Sequence, residues 1–255
     1  MTLIRLVSFA VAAGALALPL LADENSHDPS KCQGLPGSAQ LKTALAAAPG
    51  YTAAPIGGNV GGLFGGTRMW AAVVDRDGKI CAATTSTDDP TQVWPGSQAI
   101  AKAKAFTANA FSLDGHPLST AMLYTLTQPG HSLWSLGQSN LWNPSFTLDT
   151  GSTGGGQNQI AGGMIFFGGG LPLYVNGGGI IGGLGVSGDT SCADHEIAKR
   201  LRHILGLDPT GGPLVDDIKF SSDTGGPTVF DHPKCPATYR NGVSLGDEKP
   251  SNGTY

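Results

Sequence analysis

Histidines, cysteines and one lysine–threonine pair are the residues of this chain whose chemistry reaches beyond packing. Six histidines are present, and an imidazole can ligate a transition metal or carry a proton near neutrality. His195 falls in the first turn of an expected helix, beside Cys192 and one helical step from Lys199, next to a glycine loop. His116 and His131 lie in loops around an expected short helix, and His131 precedes an aromatic run with Trp134 and Trp142. His203, beside Arg202 in the last turn of a helix, suits the helix dipole and is read as a surface residue. His27 and His232 lie in terminal extensions and are read as solvated. Lys104 and Thr107 stand three apart on one helix, so they share a face that can meet a ligand carboxylate.

Cys32, Cys81, Cys192 and Cys235 lack the close pairs of a zinc ribbon, so disulfides are the first reading. Three connectivities are open. Position favours Cys32 with Cys235, clipping two extensions together, and Cys81 with Cys192 inside the core. A reduced Cys192 at a helix N-terminus would instead be an activated thiol. Gly185-Val186-Ser187-Gly188-Asp189 approaches a nucleophile elbow but ends in Asp, and His195 is too near in sequence for the usual distant base. The glycine runs at 154–156 and 168–170 lack the Lys-Ser/Thr of a phosphate loop.

The elements that must position these residues are legible as patterns. Gly37 to Ala48 is a helix ended by Pro49-Gly50. Met69 to Val74 and Lys79 to Thr85 flank Asp75-Arg76-Asp77-Gly78, a hairpin signal. Ser97 to Phe111 places Ala99, Ala103, Phe106 and Ala110 on one helical face. A short helix is expected from Leu118 to Leu126, then a long loop from Gly130 to Gly163, a length that usually carries function. Met164 to Phe167 reads as a strand, and Leu171 to Val175 pairs with Ile180 to Ser187 as a second hairpin. Glycines within that last strand imply close backbone approach to a helix or a ligand. Ser191 and Asp194 open a helix whose apolar stripe is Ala193, Ile197, Leu201 and Ile204. The order describes an α+β fold, with one antiparallel sheet of about five strands and helices on its faces. Of the tryptophans, Trp94, Trp134 and Trp142 could line a flat pocket, while Trp70 reads as core.

Composition narrows the partners. The 255 residues include 39 Gly and 17 Pro but only 13% charged residues, at a net charge of -4. No Gly-X-Y period and no cationic cluster appear, which excludes collagen and argues against nucleic acid. Arg5 followed by an apolar run from Leu6 to Leu21, a small Ala22 and then polar residues reads as a secretory signal peptide. The expected organisation is a signal peptide over 1–22, an N-terminal extension over 23–66, a domain over 67–208 and an irregular extension over 209–255. Such a chain is periplasmic or secreted, with no membrane segment after cleavage.

The middle of the chain resembles the small haem-binding or haem-degrading proteins typified by GlcG and HbpS. The resemblance rests on the hairpin from Val73 to Lys79, the Lys104 to Ala108 core of the helix, Gly168 to Leu173, and above all Ile181-Gly182-Gly183-Leu184-Gly185-Val186-Ser187-Gly188-Asp189. It implies a profilin-like five-stranded sheet with flanking helices, assembly into homo-oligomers, and a haem or related tetrapyrrole as ligand. On that implication His195, His131 and His116 are the candidate axial ligands, and Lys104 with Thr107 the candidate partners of a haem propionate; no metal beyond haem iron is expected. The functional expectation is an exported haem-binding protein that sequesters, senses or degrades haem. The alternative is an enzyme acting on a small organic molecule in an inter-subunit pocket of the same fold.

Overall fold

Successive residues of β1 (Trp70–Asp75) point into two different apolar layers. Ala71 and Val73 join Leu171, Leu173, Leu184 and Val186 on one face; Trp70, Ala72 and Val74 join Ile80, Ala83, Ala101 and Ala105 on the other. A strand buried on both sides needs a layer on each. The computed structural model, which describes residues 32–141, 159–175, 178–221, 223 and 228–247, supplies both. β1 pairs with β2 (Ile80–Thr85) and with β4 (Ile180–Ser187), and β4 with β3 (Gly170–Tyr174), all antiparallel in the order β2-β1-β4-β3. Helices α1 (Ser38–Ala47) and α4 (Ser191–Ile204) cover the first face and α2 (Gly96–Phe111) the second.

The glycines of β4 answer the question the sequence left open. A Cβ on Gly183 would stand 2.2 Å from the Ala105 carbonyl oxygen and one on Gly185 1.9 Å from that of Ala101. The close approach is therefore to helix α2. In the β1–β2 hairpin Gly78 takes φ +82, the left-handed conformation that the turn requires.

The α+β class holds, and among the described residues the sheet has four strands rather than five. Met164 to Phe167 forms no ladder because its backbone is engaged elsewhere: the Ile165 amide donates to Thr107 Oγ1. The expected helix from Leu118 to Leu126 is two 3-10 turns, Thr120–Leu123 and Thr125–Thr127. The long loop contains a one-turn helix, α3 (Leu136–Ser139). The C-terminal segment carries a two-stranded ribbon, β5 (Thr238–Arg240) with β6 (Val243–Gly246). Helix α4 is capped by Thr190, whose side chain accepts from the Ala193 amide, one residue earlier than expected. The signal segment, Trp142 and the glycine run at 154–156 lie outside the described residues. No helix among the described residues is long and apolar enough to cross a membrane.

All four cysteines are oxidised, but their pairing corrects the expectation. Cys32 bonds to Cys81 and Cys192 to Cys235. The N-terminal extension packs α1 against β2, which carries Cys81, while the C-terminal segment lands on the first turn of α4, which carries Cys192. Each disulfide thus ties a terminal segment to the element it covers, and the two segments meet each other not through sulfur but through the Gly61–Thr238 bridge and the Gly62 amide, which donates to the Ala237 carbonyl at 3.0 Å.

Candidate functional site

Between Ala161 and β3 the chain crosses the outside of α2, and three side chains hold it there. Thr107 Oγ1 accepts from the Ile165 amide at 3.0 Å while donating to the Ala103 carbonyl at 2.7 Å. Thr120 Oγ1 donates to the Phe167 carbonyl at 2.7 Å and accepts from the Gly170 amide at 2.8 Å. Lys104 Nζ donates to Asp194 Oδ2 at 2.7 Å and to the Val186 carbonyl at 3.0 Å, and stands 4.9 Å over the Phe167 ring. Gly169 makes this possible: at φ +115, a Cβ would meet the Val186 carbonyl at 2.5 Å and Lys104 Nζ at 2.8 Å.

The result is a fixed floor, Phe166 and Phe167, under a cavity of about 490 Å³. Tyr124, Gln128 and Trp134 face it from the 3-10 turns and the approach to α3. The volume is that of a typical small-molecule or cofactor pocket, with mostly apolar walls and a few polar groups. His131 sits in the turn between two of the lining residues, its amide donating to the Gln128 carbonyl and its own carbonyl accepting from the Trp134 amide. It is exposed.

Beneath the floor lies a buried polar network. Burial pushes the Asp194 carboxyl up to about 6 and the Lys104 ammonium down, and each pulls the other back toward its charged form. His232 Nε2 accepts from the Gly168 amide at 3.2 Å, its ring packed 5.1 Å from that of Tyr124. Burial holds the His232 imidazole neutral, with its pKa lowered to about 3. This residue corrects the solvated reading, being only 3% exposed.

The other face of α4 carries a second network. Lys199 Nζ donates to Glu196, Asp217 and Asn241, each at 2.8 Å. Arg202 grips Asp216 through two bonds of 2.8 and 2.7 Å. Against the cost of burial, Lys199 and His195 hold the Asp217 carboxyl well below the usual carboxylate range. The C-terminal segment supplies Asp216, Asp217 and Asn241, the carbonyls of Pro49, Ile56 and Asn59 receive Arg200, and Lys104 receives Asp194, so α4 buries charged residues on several faces.

The expected site residues thus fall in different places. Lys104 and Thr107 are together under the aromatic floor, both fully buried, and position Phe167 and Ile165. His195 is enclosed: its Nε2 lies 3.1 Å from the Ile218 amide and 3.4 Å from Asp217 Oδ1, and its Nδ1 is buried with no partner among the described residues. His116 is exposed in the Leu113–His116 turn, whose Leu113 carbonyl accepts from the Tyr174 hydroxyl. Ser187 is buried at the end of β4. Sequence reasoning missed Phe166, Phe167, Tyr124 and His232. The one signal for His232 was its place three residues before Cys235, a tied-down position.

Two features single out residues 63 to about 206: one glycine-rich strand pressed on α2, and one aromatic floor pinned by Thr107 and Lys104. A family model, that of the haem-degrading protein HbpS-like family, matches residues 63–202, more than half of the chain. The chain belongs to the HbpS-like family. Its solved relatives include Klebsiella pneumoniae protein ORFY, at 26% identity over 55% of this chain and 76% of that one, with a TM-score of 0.39. The PduOC–haem complex is 22% identical over 67% and 93% of the two chains, at 0.45. A double mutant of HbpS from Streptomyces reticuli is 20% identical over 78% and 99%, at 0.38. No curated protein matches the chain. The HbpS-like region contains His131, His195, Lys104, Thr107 and the aromatic floor, whereas His232 and the partners of Lys199 from the C-terminal segment lie outside it. Each disulfide joins one cysteine inside the HbpS-like region to one outside.

Proposed function

We propose that this protein binds haem, or a related tetrapyrrole, in the aromatic cavity over Phe166 and Phe167, after export to the periplasm or the medium and as a homo-oligomer. The observation that carries the reading is a cavity of about 490 Å³ walled by Phe166, Phe167, Tyr124 and Trp134, with an exposed histidine in its rim turn, in a chain of the HbpS-like family. A flat macrocycle asks for apolar faces and an accessible axial donor. The walls meet the first need and His131 the second. His195 does not meet it, because the Ile218 amide and Asp217 enclose its Nε2. Among the described residues lining the cavity there is no lysine or arginine, and Lys104 is already engaged by Asp194. This lining would offer a haem propionate no cation, and Lys104 would act by positioning Phe167.

Bound haem would supply the iron centre for any redox step or ring cleavage. What this chain contributes is a floor held still by Thr107, Thr120 and Lys104, and an imidazole at the rim. The signal-peptide pattern at 1–22 and two disulfides support export.

The test is an absorbance titration of the oxidised mature protein with haemin, repeated on His131→Ala, His116→Ala, His195→Ala and Phe167→Ala. A saturable Soret shift is expected in the parent protein, altered in position by His131→Ala and weakened about tenfold or more by Phe167→Ala, the loss of one large buried aromatic contact. His116→Ala should bind as the parent does. No saturable shift in the parent, or a shift that none of the variants changes, overturns the proposal.

A further inference from the structure

A second cavity, of about 310 Å³, opens at the β1–β2 turn and is lined by Gln33, Asp75, Arg76, Asp77, Ile180 and Ile181. It shares no residue with the aromatic site. Asp75 is 1% exposed. Its Oδ1 accepts from the Asp77 amide at 3.0 Å and the Lys79 amide at 2.9 Å, which closes the turn. Its Oδ2 is buried and has no hydrogen-bond partner among the described residues. Both turn bonds fall on Oδ1, so closing the turn gives Oδ2 no partner and leaves its burial unexplained.

The neighbours of this carboxyl are sulfurs. A carboxylate oxygen of Asp75 and the Sγ atoms of Cys32 and Cys81 all lie within 4.8 Å of one another. Both of these half-cystines are partly exposed, whereas Cys192 and Cys235 are 1% and 6% exposed. A disulfide that a reagent can reach, with a buried carboxyl against its sulfurs and a cavity alongside, is an arrangement for thiol–disulfide exchange.

We propose that Cys32–Cys81 is a redox-active disulfide, exchanged by an external dithiol, and that Asp75 moves the proton the exchange requires. A thiolate of the dithiol attacks one sulfur; the Cys32–Cys81 bond breaks as a mixed disulfide forms. The displaced cysteine sulfur takes the proton of the Asp75 carboxyl. The resulting Asp75 carboxylate then removes the proton of the second reagent thiol, which attacks the mixed disulfide and closes the reagent's own disulfide. The second cysteine leaves as a thiolate and is protonated from solvent, which received the proton of the first attacking thiol. Two electrons and two protons pass from the dithiol to the protein, and Asp75 ends as it began. Burial pushes the Asp75 carboxyl above its usual range, a shift that Asp77 reinforces and that Lys79 and the two turn amides oppose. Arg76, the remaining charged group at the cavity, is held by Asn109 through bonds of 2.6 and 2.7 Å. The exchange requires no bound haem.

The test uses the full mature protein, native and oxidised, with dithiothreitol as the dithiol; free thiols are trapped by alkylation and each disulfide is followed by mass spectrometry. Cys32–Cys81 should open at least about tenfold faster than Cys192–Cys235, with the circular dichroism unchanged. Asp75→Asn should slow that opening at least about tenfold, the lower end of what a positioned proton donor contributes. In the parent protein the rate, corrected for reagent thiolate, should fall as rising pH deprotonates Asp75, and this dependence should vanish in Asp75→Asn. Equal opening of the two disulfides, or an unchanged rate and pH profile in Asp75→Asn, overturns the proposal. Should Asp75→Asn fail to fold, the parent's corrected pH profile decides alone, and a flat one rejects the role.

Discussion

The two disulfides close loops of similar length, 49 and 43 residues apart in sequence, in opposite surroundings. Loop entropy alone would value each at about 4 kcal/mol, so length does not separate them. Environment does. Cys192–Cys235 is buried, with the Cys192 amide donating to Cys235 Sγ at 3.2 Å and Ser191 Oγ at 3.3 Å from the same sulfur. It pins the segment that brings Asp216, Asp217, His232 and Asn241 to buried partners. Cys32–Cys81 holds α1 near the edge strand and leaves a half-open cavity beside it. The same covalent bond seals one end of the molecule and stays within reach of reagents at the other.

The sharpest way to break this contrast is to remove a charge that the sealed end encloses. Asp216→Ala strips the buried Arg202 guanidinium of its two-bond partner, leaving it only Asp208 at 3.3 Å and the Pro172 and Pro213 carbonyls, and should cost about 3 to 5 kcal/mol in denaturant melts. A cost below about 1 kcal/mol, the worth of an exposed pair, would show that this end is wetter than its burial implies. Next, the double variant Cys192→Ser/Cys235→Ser should lose about 2 to 5 kcal/mol and more than Cys32→Ser/Cys81→Ser, read as the difference in thermal midpoint. Equal losses would erase the distinction between clamp and exchange site.

The smallest effect concerns acid. His232 titrates near 6.5 when unfolded and near 3 when folded, so below pH 6.5 the unfolded state binds the extra proton. Stability should therefore fall with pH from about 6.5 toward 3, by up to about 1.4 kcal/mol per unit. His232→Gln lacks this limb, so its stability relative to the parent should improve by about 2 kcal/mol between pH 7 and pH 5. Asp194, raised by burial to about 6, works in the opposite direction, since folding then favours its protonated form, but it is present in both proteins and cancels in the comparison. A constant gap between the two proteins would mean that His232 is already wet.

Much of the architecture could be read from local pattern. Asp75 to Gly78 announced its hairpin, the Ala-rich stretch before Phe111 its helix, and the glycines at 183 and 185 a close approach that proved to be α2. The motif from Ile181 to Asp189 pointed to the family. The candidate site was less legible. Phe166 and Phe167 looked like a strand, because an apolar run of that length is what a buried strand looks like; the Thr107 hydroxyl, nearly sixty residues earlier, takes the amide a ladder would have used. His232 looked solvated because proline- and glycine-rich tails usually are. His195 looked available because nothing in its own helix shows that residues 217 and 218 lie across it.

What the sequence determined by itself was whatever is settled within a few residues: periodicity, turn chemistry, the oxidised state expected of an even set of cysteines, and the family. Tertiary structure alone decided which cysteines pair, which charges are sealed, which histidines are enclosed, and that one carboxyl lies against one disulfide. The reason is physical. A helix or a turn is stabilised by its own neighbours, whereas a buried charge, an orphan oxygen or a sulfur pair takes its character from groups dozens of residues away, and their approach is set by the packing of the whole chain.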